Sequence, residues 1–216
     1  MGTPSIADIK ATWGRRTYST NAVSRAVVNL LADGRPVTPQ ALAAVTGLSV
    51  AQIEHYIDNV RREGVEVEQG TIVGLALSLR PTQHTFRVRG NDLYTWCGFD
   101  TLFLPIILGE RAEVTSTCPV TGREIRLMVE ADGTVSAVHS ATVVVGVVGE
   151  EVTSCCEVAG PDSAICTQMP FFASREAGER WSADHPGVAI VDLDDGREVA
   201  RGYVYGGDGV ADGCAS

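Results

Sequence analysis

Residues 38–47, T-P-Q-A-L-A-A-V-T-G, begin with the start signals of a short helix. The Thr38 hydroxyl suits the position that caps the first turn, and Pro39 suits the first helical residue, where no backbone N–H is needed. The pattern therefore predicts a short capped helix in this segment.

The segments on both sides of this helix have similar signals. Residues 21–34 have a helical pattern that ends in Asp-Gly, and residues 49–64 begin with a serine and end with a glycine. Residues 70–80, G-T-I-V-G-L-A-L-S-L-R, then predict a β-hairpin. The order helix, helix, helix, wing resembles a winged helix-turn-helix, so we predict a three-helix, winged-helix-like domain over residues 1–80.

The charge of the chain opposes DNA binding by this domain. The 216 residues carry a formal net charge of −10, and the sequence pI is about 4.8. Residues 1–80 hold eight basic and seven acidic side chains, and the third predicted helix mixes both signs, with Glu54, Asp58, Arg61, Arg62 and Glu63. A surface that contacts phosphates normally carries a basic stripe. We therefore expect no nucleic-acid partner and a structural or lid role for the domain.

The second predicted domain, residues 81–216, is strongly acidic, with nine basic and twenty acidic side chains. Alternating β-branched residues predict strands, among them T-F-R-V-R, R-E-I-R-L-M-V-E and T-V-V-V-G-V-V. Two predicted helices interrupt them, one over residues 93–108 and one from Ser174 to His185. The predicted fold class is α+β, in which a mixed, mainly antiparallel β-sheet core with flanking helices follows the winged-helix-like domain.

Neither export nor membrane insertion is predicted. The start of the sequence lacks the pattern of a secretory signal, and the longest apolar run, residues 141–149, is far shorter than the roughly 20 residues that span a bilayer. We expect a cytoplasmic protein with no membrane partner, whose six cysteines are free thiols. The sequence has no C-x-x-C pattern and no phosphate-binding glycine loop, so we expect neither structural zinc nor a nucleotide cofactor.

One cysteine lies beside a carboxyl group. Cys97 and Asp100 are three residues apart in Y-T-W-C-G-F-D-T-L-F-L-P, residues 94–105, and share one face if this segment is helical. A helix that begins near residue 91 places Cys97 in its first two turns, where peptide dipoles favour a thiolate. Desolvation on an apolar helix raises the pKa of a carboxyl and lets it hold a proton near neutral pH. The alternative is a buried cysteine beside a surface aspartate, without chemistry.

W-C-G-F-D-T-L-F-L-P resembles the signature of the organomercurial lyases (alkylmercury lyases), in which a cysteine precedes an aspartate by three residues. Two further cysteine segments resemble the family in the same order: residues 114–122, V-T-S-T-C-P-V-T-G, and residues 165–181, I-C-T-Q-M-P-F-F-A-S-R-E-A-G-E-R-W. G-R-P-V-T-P-Q-A-L-A followed by L-S-L-R resembles the small helical domain of the family. The resemblance therefore spans nearly the whole chain.

The resemblance implies protonolysis of a carbon–mercury bond, which converts an organomercurial into a hydrocarbon and Hg(II). It implies that Cys97 and Cys166 bind mercury, that Asp100 delivers the proton and then coordinates Hg(II), and that Cys118 is structural. Thiolate sulfur is the ligand that soft metal ions prefer. The resemblance also implies a monomer without an organic cofactor, which needs external thiols for product release and passes Hg(II) to a mercuric reductase.

Three other cysteines do not fit this pattern. Cys155 and Cys156 lie where the family is expected to have no cysteine, and Cys214 lies in a C-terminal segment that we expect to be frayed. Two alternatives remain open: a non-catalytic binder of soft metals such as Hg²⁺ or Cu⁺, and a winged-helix regulator that senses metal through its cysteines. A pure binder needs no carboxyl beside its thiol, so Asp100 favours the enzyme.

Overall fold

The computed structural model describes residues 3–16, 22–60, 65–138, 142–150, 152, 162–163 and 165–206. The predictions for Cys155, Cys156 and Cys214 concern residues outside these ranges, as do those for Arg61, Arg62 and Glu63. Among the described residues, none of the helices combines the length and the apolar character that a membrane span requires.

Helices and strands are both well represented, which confirms the α+β class. The described α-helices are α1 (Ile6–Arg15), α2 (Ala22–Leu31), α3 (Pro39–Thr46), α4 (Val50–Val60), α5 (Asp100–Leu108), α6 (Arg175–Ser182) and α7 (Leu193–Tyr205). The described strands are β1 (Glu66–Glu68), β2 (Thr71–Leu75), β3 (Leu77–Ser78), β4 (His84–Val88), β5 (Asn91–Thr95), β6 (Ala112–Thr117), β7 (Glu124–Val129), β8 (Val135–Ala137), β9 (Val144–Val148), β10 (Phe171–Phe172) and β11 (Val188–Asp192).

The three N-terminal helices predicted from their caps are α2, α3 and α4. Thr38 Oγ1 accepts a hydrogen bond from the backbone N–H of Ala41, and Pro39 is the first residue of α3. Gly47 ends this helix with φ of 72°, the left-handed conformation that favours glycine. Helix α1 was not predicted. It packs against α7 at the other end of the chain.

The predicted wing is part of a much larger sheet. Strands β2 and β3 pair antiparallel, as a hairpin should, and β3 then pairs with β5. The result is one eight-stranded sheet in the order β1-β2-β3-β5-β4-β6-β7-β8. Each pairing among its described strands is antiparallel. The winged-helix strands and the strands of the following domain therefore share one hydrogen-bonded structure.

The prediction of a helix over residues 93–108 is wrong in its first half. Residues 91–95 form β5, which pairs with β4 from Val88 opposite Asn91 onwards. The two residues between these strands, Arg89 and Gly90, have φ of 53° and 77°. Positive φ at both positions is typical of the type I′ turn that closes two-residue hairpins. The hairpin therefore holds this segment extended, and α5 begins only at Asp100.

Helix α5 lies at the centre of the molecule, and each of its residues from Asp100 to Leu108 is buried. A helix that is apolar on all sides requires cover on all sides, and here α2, α7 and β7 contribute to it. A second, three-stranded sheet in the order β10-β9-β11 holds the other cysteine segment. Its central strand, β9, is buried throughout, which confirms the predicted buried strand.

The corrected hairpin leads to a prediction about its turn. Gly90→Ala should lower the free energy of unfolding by about 1 kcal/mol, because alanine resists the left-handed conformation that this position requires. The added Cβ meets no heavy atom within 4 Å, so the cost arises from the backbone alone. Equilibrium urea unfolding measures it.

Gly202→Ala in α7 is the matched control. Its Cβ also meets nothing within 4 Å, but the backbone is helical. Alanine should therefore raise the free energy of unfolding, by about 0.5–1 kcal/mol. Equal effects of the two substitutions would contradict the turn assignment.

Candidate functional site

Cys97 lies in the short turn between β5 and α5. The Thr95 hydroxyl donates a hydrogen bond of 2.9 Å to the carbonyl of Cys97, and the backbone N–H of Trp96 donates to the carbonyl of Ala76. The backbone N–H of Cys97 itself donates to Asp100 Oδ2 over 3.1 Å. These bonds hold the turn from both sides, so the positions of its thiol and of the Asp100 carboxyl are coupled.

Cys166 lies at the start of a single 3-10 turn, Cys166–Gln168, which precedes β10. Its backbone N–H donates to the hydroxyl of Ser163 over 3.1 Å. The next residue after the turn, Met169, accepts a hydrogen bond of 2.9 Å from the backbone N–H of Gly98. This backbone contact joins the turn that carries Cys166 to the turn that carries Cys97.

Only glycine fits at position 98. A Cβ there would lie 2.9 Å from the carbonyl oxygen of Met169 and 3.0 Å from the ring of Phe171, both closer than ordinary van der Waals contact. The glycine in W-C-G-F-D therefore permits the close approach of the two turns.

The two turns bring Cys97, Asp100 and Cys166 together. One ligand atom from each residue, either a sulfur or a carboxylate oxygen, lies within 4.8 Å of the other two. The predicted proximity of the two cysteines, distant in sequence, is thus confirmed. All three are buried, with exposed fractions of 0%, 6% and 5% in sequence order. Within the described part of the chain, no other three His, Cys, Asp or Glu side chains form such a group.

Burial governs the acid–base properties of Asp100. Removal from water raises its pKa well above the ordinary value, and the negative charge of a Cys166 thiolate raises it further. Hydrogen bonds from the Cys97 thiol and from backbone N–H groups oppose this increase without cancelling it. The predicted increase in pKa is confirmed, although its setting is the first residue of a buried helix. A proton on Asp100 is therefore retained to higher pH than on an exposed aspartate.

The Cys97 thiol differs from the expectation of a helix-stabilised thiolate. The residue precedes α5, and burial raises its pKa well above the ordinary value. The neighbouring Cys166 thiol and the Asp100 charge raise it further. The dry space therefore favours the neutral forms of the Cys97 thiol and the Asp100 carboxyl over their charged forms.

The third predicted cysteine lies apart from this group. Cys118 is buried directly after β6, and its backbone N–H donates to the carbonyl of Arg123. Burial raises the pKa of its thiol, but hydrogen bonds from Thr121 and from the backbone N–H groups of Ala173 and Val120 outweigh that effect and lower it. The sulfur thereby connects the turn after β6 to the segment after β10, which fits a structural role.

Aromatic rings that the sequence did not single out surround the start of α5. Trp13 of α1 lies 4.6 Å from the ring of Phe99, and Tyr203 of α7 lies 5.0 Å from the ring of Phe103, centroid to centroid. Burial and the nearby Asp100 charge raise the pKa of Tyr203. These contacts exclude water from the site, and they arise from helices at the two ends of the chain, which no local pattern relates.

Comparison with known proteins agrees with this geometry. The model of the alkylmercury lyase family matches residues 77–204, and that of the helix-turn-helix domain of alkylmercury lyase matches residues 12–76. Alkylmercury lyases of Streptomyces lividans and Staphylococcus epidermidis are 38% and 36% identical over 177 residues, 82% of this chain and 79% of each relative. The crystal structure of the mercury-bound form of MerB2 shares the fold, with a TM-score of 0.70 and 22% identity over 91% of this chain and 97% of that one. This chain therefore belongs to the alkylmercury lyase family.

Proposed function

We propose that this protein is an organomercurial lyase that cleaves carbon–mercury bonds by protonolysis, with Cys97, Cys166 and Asp100 as its catalytic residues. The observation that supports the assignment is the mutual approach of two thiols and one carboxyl within 4.8 Å in a buried site. Soft mercury favours sulfur ligands. A carboxyl that retains its proton supplies the acid that the reaction requires.

The proposed reaction balances without an external oxidant or reductant. One thiol first replaces the exchangeable ligand of the organomercurial, which leaves as its conjugate acid. The sulfur of the second thiol then binds mercury. Electron donation from two sulfurs makes the mercury-bound carbon basic enough to take the proton that Asp100 holds, and the proton of the second thiol replaces it on Asp100. The carbon–mercury bond breaks, the hydrocarbon leaves, and Hg(II) remains bound to two thiolates, with Asp100 free to coordinate it.

Burial contributes to each step of this reaction. In a dry site the raised pKa of Asp100 favours its protonated form, so the acid is available near neutral pH. The same dryness disfavours two free thiolates and favours thiolates whose charge the metal neutralises. Non-catalytic soft-metal binding, the alternative, leaves a protonated carboxyl beside the thiols without a role.

We further propose that external thiols release the product, because thiol exchange allows a soft metal ion to leave two thiolates. The Hg(II)–thiol complex would then pass to a mercuric reductase, which makes the reaction a step in mercury resistance and detoxification. The buried free thiols Cys97, Cys118 and Cys166 suit the reducing cytoplasm. We expect a monomer that needs no organic cofactor.

Release of benzene from phenylmercury acetate, with thiol in excess, tests the proposed reaction. The purified protein should release benzene. Asp100→Ala lacks the acid and Cys166→Ser lacks a sulfur ligand for mercury, so both variants should be slower by about a hundredfold or more. Asp92→Ala is the control, because it removes an exposed carboxylate that pairs with Arg87 away from the thiols. A folded protein that binds Hg(II) tightly without releasing benzene would support the soft-metal binder instead.

Gly98→Ala should separate the two cysteine turns. The added Cβ must move the carbonyl of Met169 or the ring of Phe171, and a misplacement of about 1 Å can reduce the rate about a hundredfold. Benzene release measures the effect, and Gly202→Ala should leave the rate unchanged. Full activity of Gly98→Ala would show that the close approach is unnecessary.

The raised pKa of Asp100 predicts the pH dependence of stability. The folded protein holds this proton above pH 3.8, the ordinary pKa, so the free energy of unfolding falls as pH rises towards the raised pKa. Asp100→Asn lacks this titration. Its stability relative to the parent should therefore be greater at about pH 8 than at about pH 5, as measured by urea unfolding.

Asp92→Asn is the control and should show no such difference between about pH 8 and about pH 5. A hydrogen bond from Arg87 lowers the pKa of Asp92, so its carboxylate stabilises the fold above the ordinary pKa, and this contribution is lost as pH falls through the lowered value. A larger stability gain of Asp100→Asn at the lower pH would contradict a neutral Asp100.

A further inference from the structure

A second carboxylate that is largely shielded from water lies next to the site, on the winged-helix side of the sheet. Glu66 of β1 has only 8% of its side chain exposed. Its Oε2 atom accepts hydrogen bonds from the Ser78 hydroxyl, at 2.5 Å, and from the indole Nε1–H of Trp96, at 2.9 Å. Arg80 lies 3.6 Å from the other carboxylate oxygen. The carboxylate therefore has two hydrogen-bond donors on one oxygen and an ion pair with Arg80 on the other, although its side chain is largely shielded from water.

The Glu66 side chain reaches Trp96 by crossing the neighbouring strand. Glu66 pairs with Gly74 of β2, and a Cβ added to Gly74 would lie 1.8 Å from Glu66 Oε2. Any other residue at position 74 would collide with the carboxylate. The missing side chain gives Glu66 a path across β2 to Ser78 on β3 and to Trp96 just after β5. Gly74 is therefore required for the Glu66 carboxylate to reach Trp96.

Trp96 connects this carboxylate to the site, because it directly precedes Cys97. Its indole is held by Glu66, and its backbone N–H is held by the carbonyl of Ala76 on the winged-helix side. Two of the groups that hold Trp96, the Glu66 carboxylate and the Ala76 carbonyl, thus belong to the first eighty residues. Shielding a carboxylate from water is costly unless it is hydrogen-bonded, and a hydrogen bond to a charged acceptor is stronger than a neutral one. The turn between β5 and α5, which carries Cys97, is therefore attached to the N-terminal strands by these two hydrogen bonds.

We propose that Glu66 is a positioning residue of the reaction, which through its hydrogen bond to Trp96 Nε1–H fixes the turn that carries Cys97 and Asp100. This inference rests on the proposed function. It gives the winged-helix-like domain an indirect part in catalysis, because strand β1 of this domain supports the turn that carries Cys97. Glu66 has no contact with the reacting atoms and acts through Trp96 alone.

The test compares kcat and KM for benzene release in four variants. Glu66→Leu and Trp96→Phe each remove the hydrogen bond, and each should lower kcat about tenfold. Glu66→Gln keeps an oxygen acceptor and should stay within about threefold of the parent. Glu68→Gln is the matched control, because Glu68 lies on the same strand and also pairs with Arg80 but is exposed; it should leave kcat unchanged.

Two readouts separate positioning from a loss of fold. The double variant Glu66→Leu/Trp96→Phe should be no slower than the slower single variant, since both remove one bond. The NMR signal of the Trp96 Nε1–H, assigned by its disappearance in Trp96→Phe, should shift in Glu66→Leu and remain unchanged in Glu68→Gln. Additive losses, or a kcat in Glu66→Leu equal to that of the parent, would overturn the proposal.

Hg(II) titration of the same variants distinguishes failure of this inference from failure of the proposed function. If the parent releases no benzene, the lyase assignment fails, and the positioning of Cys97 is then judged by Hg(II) affinity. A weaker affinity in Glu66→Leu than in Glu68→Gln would support the positioning role. Equal affinities, together with an unshifted indole signal, would refute it independently of catalysis.

Discussion

One backbone hydrogen bond, from the N–H of Gly98 to the carbonyl of Met169, determines whether the site exists. It joins a turn of the eight-stranded sheet to a turn beside the three-stranded sheet, and each turn carries one of the two thiols. Because both partners are main-chain atoms, the spacing does not depend on flexible side chains. It does depend on the missing Cβ of Gly98, which leaves room for the carbonyl. The reactive groups are therefore positioned by strand geometry.

The surroundings of these groups explain why they are chemically unusual. Two thiols and a carboxyl lie where α1, α5 and α7 contribute aromatic rings and water is excluded. Such a place disfavours charged forms, so Asp100 retains its proton to a higher pH than an exposed aspartate does. This carboxyl lowers folding stability as the pH rises and offers an acid to the site, a balance found at many active sites. A bound soft cation neutralises the negative charge of the thiolates and so removes the cost of placing that charge in a dry site.

Local signals predicted the local structure well. The caps of α3 and α6, the alternation in β7 and the continuous β-branched run of β9 depend on neighbouring residues, and these elements were found where expected. The helix predicted from residue 93 was wrong because the pairing of β5 with β4 and β3 outweighs the helical appearance of an apolar segment. Helix α7 was missed because its sequence contains two glycines and several charges, and its helical form depends on packing against α1 and α5.

The candidate site was only partly accessible to sequence reasoning. The three-residue spacing of Cys97 and Asp100 suggested a shared function, although their actual relation is a turn and the first residue of a helix. Cys166 could be related to them by family resemblance alone, since the contact between Gly98 and Met169 has no local pattern. The roles of Trp13, Tyr203 and Glu66 depend on distant elements meeting, so no motif indicated them.

The junction of β3 with β5 has a further consequence for the architecture. It consists of two residue pairs, Leu77 with Thr95 and Ser78 with Tyr94, yet it covers the backbone groups of β5 that β4 does not. A sheet edge left open offers unpaired N–H and C=O groups to strands of other molecules and invites aggregation. The small N-terminal unit thus protects the edge of the sheet that carries the reactive thiol. This protective role would favour retention of the helical unit whether or not it ever meets a nucleic acid.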